Sequence, residues 1–245
     1  CPSAVQELGE VWFTNKDPLN TVKQIEGEED INQSIYLQGS KVLIYAQDEL
    51  NKIARLIRYK EDHRSALLRA IGLNDFLFKA RLIKLWVNNQ LQIEIDNKTL
   101  KRDELDDGFR KTIDKNLLRY STFDNIINLL RKGKPFILRV YDPKKEIKVH
   151  CLDKTPTMEK FWNDQKPNPY ELFKLRNKAI HFCLSVSEEI AKAAFNLAKT
   201  NLEDLRKNWV TQSIASGVYE ALQWDDLCEQ CGINFLPRRK GNENG

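Results

Sequence analysis

From Val42 onward, Leu43, Ala46, Leu50, Ile53 and Ile57 recur at steps of three and four residues. That spacing puts apolar side chains on one stripe of a helix. Residues 66–71 repeat it and are expected to stop at Gly72, after which Asn74-Asp75 offers a cap. Residues 76–86 then resume as a helix, with Ala80, Ile83 and Val87 on a common face. Leu91, Ile93 and Ile95 alternate as in a short strand, whereas residues 105–118 are charged and read as helix or loop. Ser121-Thr122 opens a helix carrying Ile126, Ile127, Leu129 and Leu130, which ends at Gly133 with Pro135 two residues on. Two alternating runs, 136–141 and 146–152, flank Asp142-Pro143-Lys144-Lys145 and predict a β-hairpin. Asn168-Pro169-Tyr170-Glu171 supplies a capping residue, a proline for the first turn and a glutamate three residues after the cap, a strong helix start. Ser187-Glu188-Glu189 starts another helix, whose stripe is Ile190, Ala194, Leu197, Ala198 and Leu205.

These elements predict a mainly α fold, a helical bundle over residues 42–227 with a β-hairpin inserted near 136–152. An irregular arm or cap, 1–41, precedes the bundle, and a tail, 228–245, follows it. Composition agrees: 41% hydrophobic residues exclude a disordered chain, and 10 glycines and 8 prolines in 245 residues are too few for a loop-rich barrel. No stretch approaches the roughly 18–20 uncharged apolar residues of a membrane helix. The opening Cys1-Pro2-Ser3-Ala4-Val5 lacks the basic-then-apolar order of a signal peptide. A soluble, cytoplasmic protein with no membrane partner is therefore expected. The sole methionine, Met158, leads us to expect a segment ahead of Cys1. Five cysteines, an odd number at irregular spacing, argue against a disulfide framework. A net charge of +4 permits nucleic acid as a partner without requiring it.

The chemistry concentrates in Leu175-Arg176-Asn177-Lys178-Ala179-Ile180-His181-Phe182. This segment resembles the signature of the HEPN superfamily, whose members cleave RNA; doing so through the RNA's own 2′-hydroxyl needs a group that exchanges protons near neutral pH, the role histidine suits, and His181 would fill it. It also needs a permanent cation to meet the phosphoryl oxygens in the transition state, and the forked guanidinium of Arg176 offers one. Asn177 would donate to the phosphate or hold Arg176 in place. The HEPN signature reads Arg, a polar residue that is often Asn, a few residues, then His. That superfamily includes CRISPR-associated ribonucleases, toxins of toxin–antitoxin pairs and ribonuclease modules of kinase-linked stress sensors.

The resemblance implies a helical bundle that forms a homodimer, with Arg and His of both protomers lining one cleft, and cleavage of single-stranded RNA without metal or cofactor. It also implies a place in defence or toxin biology, with a regulatory or antitoxin protein as partner. In the nucleotidyltransferase-partnered branch a Tyr commonly stands two residues after the His. Cys183 stands there instead, which points away from that branch.

Geometry constrains this reading. Five residues of helix rotate by roughly 500°, so Arg176 and His181 lie about 140° apart, and either the helix bends near His181 or a second subunit completes the cleft. Ala179-Ile180 are expected to pack the segment into a core. The same interval recurs in Arg58-Tyr59-Lys60-Glu61-Asp62-His63, whose charged interior reads as a solvated helix end. For RNA binding, Lys132 and Lys134 precede the hairpin, Lys144 and Lys145 sit in its turn, and Lys174 and Lys178 accompany Arg176. Cys228-Glu229-Gln230-Cys231 has the spacing of half a zinc site, but no further ligands follow in the tail, so ordinary thiols are expected. The pairs Asp106-Asp107 and Asp225-Asp226 read as solvated, not metal-binding. Two other classes stay open: a catalytically silent HEPN-like module that binds RNA or protein, and a structural subunit of a larger assembly.

Overall fold

The stripe that begins at Val42 belongs to helix α1, Gly39–Arg55, which continues through a wider π turn, Leu56–Lys60, in this computed structural model. The structure describes residues 30–120, 123–140, 146–152, 169–182 and 184–206. Part of the expected N-terminal arm is ordered on the core: two short 3-10 turns, Ile31–Gln33 and Ile35–Leu37, precede α1, and Ile31 is fully buried.

Asp62 caps the next helix, α2, His63–Val87, its carboxylate accepting from the Ser65 N–H at 3.0 Å. The expected break at Gly72 does not occur, and α2 runs through it as one helix of 25 residues. Fourteen of its side chains are buried, and packing on that scale outweighs the roughly 1 kcal/mol that an interior glycine costs. Asn74 caps nothing. Its Nδ2 donates to the Ala70 carbonyl at 2.9 Å, and its Oδ1 accepts from Asn201 Nδ2 at 3.2 Å. Gly72 itself is exposed, with nothing within 4 Å of where a Cβ would stand. Gly72→Ala is therefore expected to stabilise the chain by about 0.5–1 kcal/mol and raise Tm by roughly 1–4 °C in a melt followed by circular dichroism. A lowered Tm would show that α2 needs flexibility there.

The sheet is larger than the expected hairpin. Strands β1, Leu91–Ile95, and β2, Lys98–Lys101, are joined by Asp96-Asn97, both with positive φ (48° and 62°), the geometry of a tight two-residue hairpin turn. Strands β3, Phe136–Arg139, and β4, Glu146–Cys151, form the hairpin foreseen near 136–152. Pairing of β4 with β1 joins the two into one antiparallel sheet of order β2-β1-β4-β3. The inserted hairpin is thus half of a sheet. Its buried face carries Leu91, Ile93, Phe136, Leu138, Ile147 and Val149, and it packs with helices α3, Asp107–Tyr120, and α4, Phe123–Lys132. Asp106 caps α3 by accepting the Phe109 N–H at 2.9 Å, and Gly133, at φ 58°, closes α4.

Two further helices, α5, Pro169–Phe182, and α6, Glu188–Leu205, complete the described chain. Ser187 caps α6 as expected, accepting the Ile190 N–H at 3.5 Å. The fold is mainly α, with α2 as the spine of two adjoining cores. Its N-terminal half, from Ala66 to Leu77, packs with α1, α5 and α6, and its C-terminal half, from Phe78 to Trp86, packs with the sheet, α3 and α4. Buried charge ties the parts together. Arg81, only 2% exposed, pairs with Asp204 of α6, and Glu49 of α1 accepts from Arg69 of α2 at 2.7 Å.

Candidate functional site

Helix α5 starts at Pro169 as its capping signals predict, and it remains helical through His181 to Phe182. Leu172 and Ala179 are buried against the first core. Arg176, four residues after one and three before the other, lies on that same inward side and is half-buried. Lys174, Asn177, Lys178 and His181 are all exposed. At about 100° per residue these four fall within an arc of roughly 100° on the outward side. The helix therefore groups the histidine with two lysines and the asparagine, and turns Arg176 away from them.

Arg176 has its own surroundings. Its Nη1 donates to Asn177 Oδ1 at 3.3 Å, and its guanidinium carbon lies 5.9 Å from the centre of the Phe173 ring, within cation–π range. Asp75 of α2 feels the same charge. Burial pushes its carboxyl above the usual range, and the Arg176 and Lys79 cations pull it back. Burial also lowers the Lys79 ammonium, which donates to the Leu118 carbonyl and stands 6.0 Å from the Tyr36 ring.

The end of α5 that carries His181 is held by a residue with no signal in the sequence. Arg64 donates from Nε (3.2 Å) and Nη2 (2.9 Å) to the Ala179 carbonyl, one of the last four of the helix and so in need of a partner. A cation there also opposes the negative end of the helix dipole. Among the described residues the His181 ring makes no hydrogen bond. Ala179 enters the core as expected, but Ile180 does not: adjacent helical residues point about 100° apart, and Ile180 is 42% exposed. Phe182 (72%) and Leu184 (40%), which flank His181 in sequence, are exposed as well.

Of the remaining candidates only Lys134 can be placed, and it is not gathered here. Lys134 is exposed just before β3. The side chain of Lys132, and all of Lys144 and Lys145, lie outside the described residues. The α4–β3 region packs around α2 from Phe78 onward, whereas Ala179 is tied to Arg64. Those points are fourteen residues apart on α2, about 21 Å of helix. In the second Arg-x4-His segment, residues 58–62 are exposed, as a solvated helix end should be. His63 is half-buried, its Nε2 shielded and without a hydrogen-bond partner among the described residues.

Cys183, Cys228, Cys231 and Asp225-Asp226 fall outside the described residues, among which no three His, Cys, Asp or Glu side chains cluster as metal ligands. Burial pushes the Cys151 thiol up to about 11, so at pH 8 only about one molecule in a thousand carries the reactive thiolate. In the folded chain Cys151 is expected to resist iodoacetamide at pH 8 and to react once urea unfolds it, as read by peptide mass spectrometry. Equal labelling in both states would refute its burial. No helix among the described residues is long and apolar enough to cross a membrane. Comparison with models of known families, with characterised proteins and with solved structures gave no match.

Proposed function

We propose that the chain is a metal-independent endoribonuclease that cleaves single-stranded RNA by attack of the 2′-hydroxyl, working as a homodimer in defence or toxin biology. The observation that carries this reading is the solvent-open His181 on a face shared with Lys174, Asn177 and Lys178, inside a segment that resembles the HEPN signature. His181 takes a proton from the 2′-hydroxyl or gives one to the leaving 5′-oxygen. Lys174 and Lys178 draw the phosphates in, and Lys132, Lys134, Lys144 and Lys145 are further phosphate contacts for the strand. Arg176 stabilises the charged phosphoryl group, and Asn177 restrains it.

Because Arg176 sits on the opposite side of α5 from His181, the arginine at each scissile phosphate comes from the second chain. The exposed apolar side chains of Ile180, Phe182 and Leu184 at this end of α5 suit a contact between the two chains. A regulatory or antitoxin protein is the further partner.

One observation favours a second reading, a silent module that binds RNA or protein. Arg176 is half-buried and already engaged by Phe173 and Asn177. Incubation with single-stranded RNA in EDTA, with end analysis and light scattering on the same sample, separates the two. The nuclease reading expects 5′-hydroxyl ends from a dimer. RNA retained intact by the folded chain supports the silent module, and full cleavage by a monomer refutes the two-chain site.

A further inference from the structure

Helices α1 and α6 flank an open cleft of about 110 Å³ to which α5 contributes no lining residue. Three cations line it: Arg58, which the second Arg-x4-His segment contributes from the π turn, and Lys199 and Arg206 from α6 and its end. A single carboxylate, Glu203, stands among them. Neither Lys199 nor Glu203 forms an ion pair among the described residues, although they are spaced to do so along one helix face. The Nε of Arg206 is shielded from solvent and has no hydrogen-bond partner there. Arg206 also forms no ion pair among the described residues, which leaves the rest of its guanidinium to pair with an anion in the cleft it lines. On the opposite wall Gln47 donates to Asn51 Oδ1 at 3.3 Å, adding neutral amide groups to the charged ones.

Size narrows the ligand. The cleft is small, which suits a group of phosphate size better than a whole nucleotide. Excess positive charge and forked donors select a tetrahedral oxyanion over a neutral polar group. We propose that the α1–α6 cleft binds a phosphate group whose parent molecule, a free nucleotide or an RNA strand, extends from its open mouth. None of the cleft residues lies on α5, so the site stands independently of the ribonuclease reading.

Isothermal titration of the full chain with inorganic phosphate, and then with AMP, tests the proposal. Saturable binding is expected, weakened about tenfold or more by Lys199→Gln and by Arg206→Gln, since each removes a charge-assisted contact. Lys192→Gln, on α6 but outside the cleft, should leave it unchanged, and so should His181→Ala, which separates this site from the proposed nuclease. Because Arg206 caps the end of α6, the exposed Lys199 carries the decision. Competition with bound AMP identifies the parent molecule. Displacement by a short 5′-phosphorylated oligouridylate alone indicates an RNA end. Displacement also by its 5′-hydroxyl counterpart indicates the RNA backbone, and displacement by neither indicates a free nucleotide. Absence of phosphate and AMP binding at millimolar concentration, or equal binding by wild type and Lys199→Gln, overturns the proposal.

Discussion

His181→Ala is expected to lower cleavage of single-stranded RNA by about 10²–10⁴-fold, the usual contribution of a positioned acid or base. The folded state should be nearly unaffected, because the ring is exposed and makes no hydrogen bond among the described residues. Arg176→Ala is expected to be impaired as well, by loss of charge stabilisation at the phosphoryl group. The informative measurement mixes the two inactive variants. If a cleft draws on both chains, exchange of subunits creates dimers that hold an intact Arg176 from one protomer and an intact His181 from the other, and activity partly returns. If each chain cleaved by itself, no mixed species would hold both groups in one site, and the mixture would remain as inactive as its components. Wild-type activity in His181→Ala alone would end the nuclease reading before any mixing.

The inward position of Arg176 was only half legible. Rotation along a helix gives its 140° separation from His181 from sequence alone, but which of the two faces the core depends on where Leu172 and Ala179 dock against α2. Local signals carried most of the rest. The stripe after Val42, the Gly133 stop, the Pro169 start and the Ser187 cap each act through residues within one or two turns, and all four recur in the structure. What escaped was non-local or balanced. Gly72 weakens a helix in isolation, and only the burial of α2 on several sides overrides it. Strand β2 has one apolar residue, Leu100, since it lies at the sheet edge, and the partner of β1 that joins the hairpins comes from residues more than fifty positions later. In α3, Phe109, Ile113 and Leu117 do repeat every four residues, but the charges between them obscured the period. Arg64 could not be foreseen, because a bond to a backbone carbonyl 115 residues away leaves no pattern in the chain.

The largest stability effect is expected at Asp114. This α3 carboxylate, 4% exposed, accepts at Oδ1 from Trp86 Nε1 (2.6 Å) and Arg102 Nε (3.1 Å), and at Oδ2 from Arg102 Nη2 (2.8 Å). It therefore joins α3 to the C-terminal half of α2 and to the 3-10 turn that follows β2. Asp114→Ala leaves a largely buried guanidinium and the fully buried indole N–H without an acceptor, and such a loss costs about 3–5 kcal/mol. Against a total stability of about 5–15 kcal/mol for a typical protein, that is a large fraction. It would be read as a lower urea midpoint at unchanged slope. Asp114→Asn should cost less, because a carbonyl oxygen still accepts from Trp86 while the charge opposite Arg102 is lost. The decisive comparison is Asp114→Leu alone against Asp114→Leu with Arg102→Leu. If the cost comes from stranding a buried cation, removing that cation as well restores part of the stability, and the double variant is the more stable of the two. If the pair were merely a screened surface contact, every one of these changes would stay within about 1 kcal/mol.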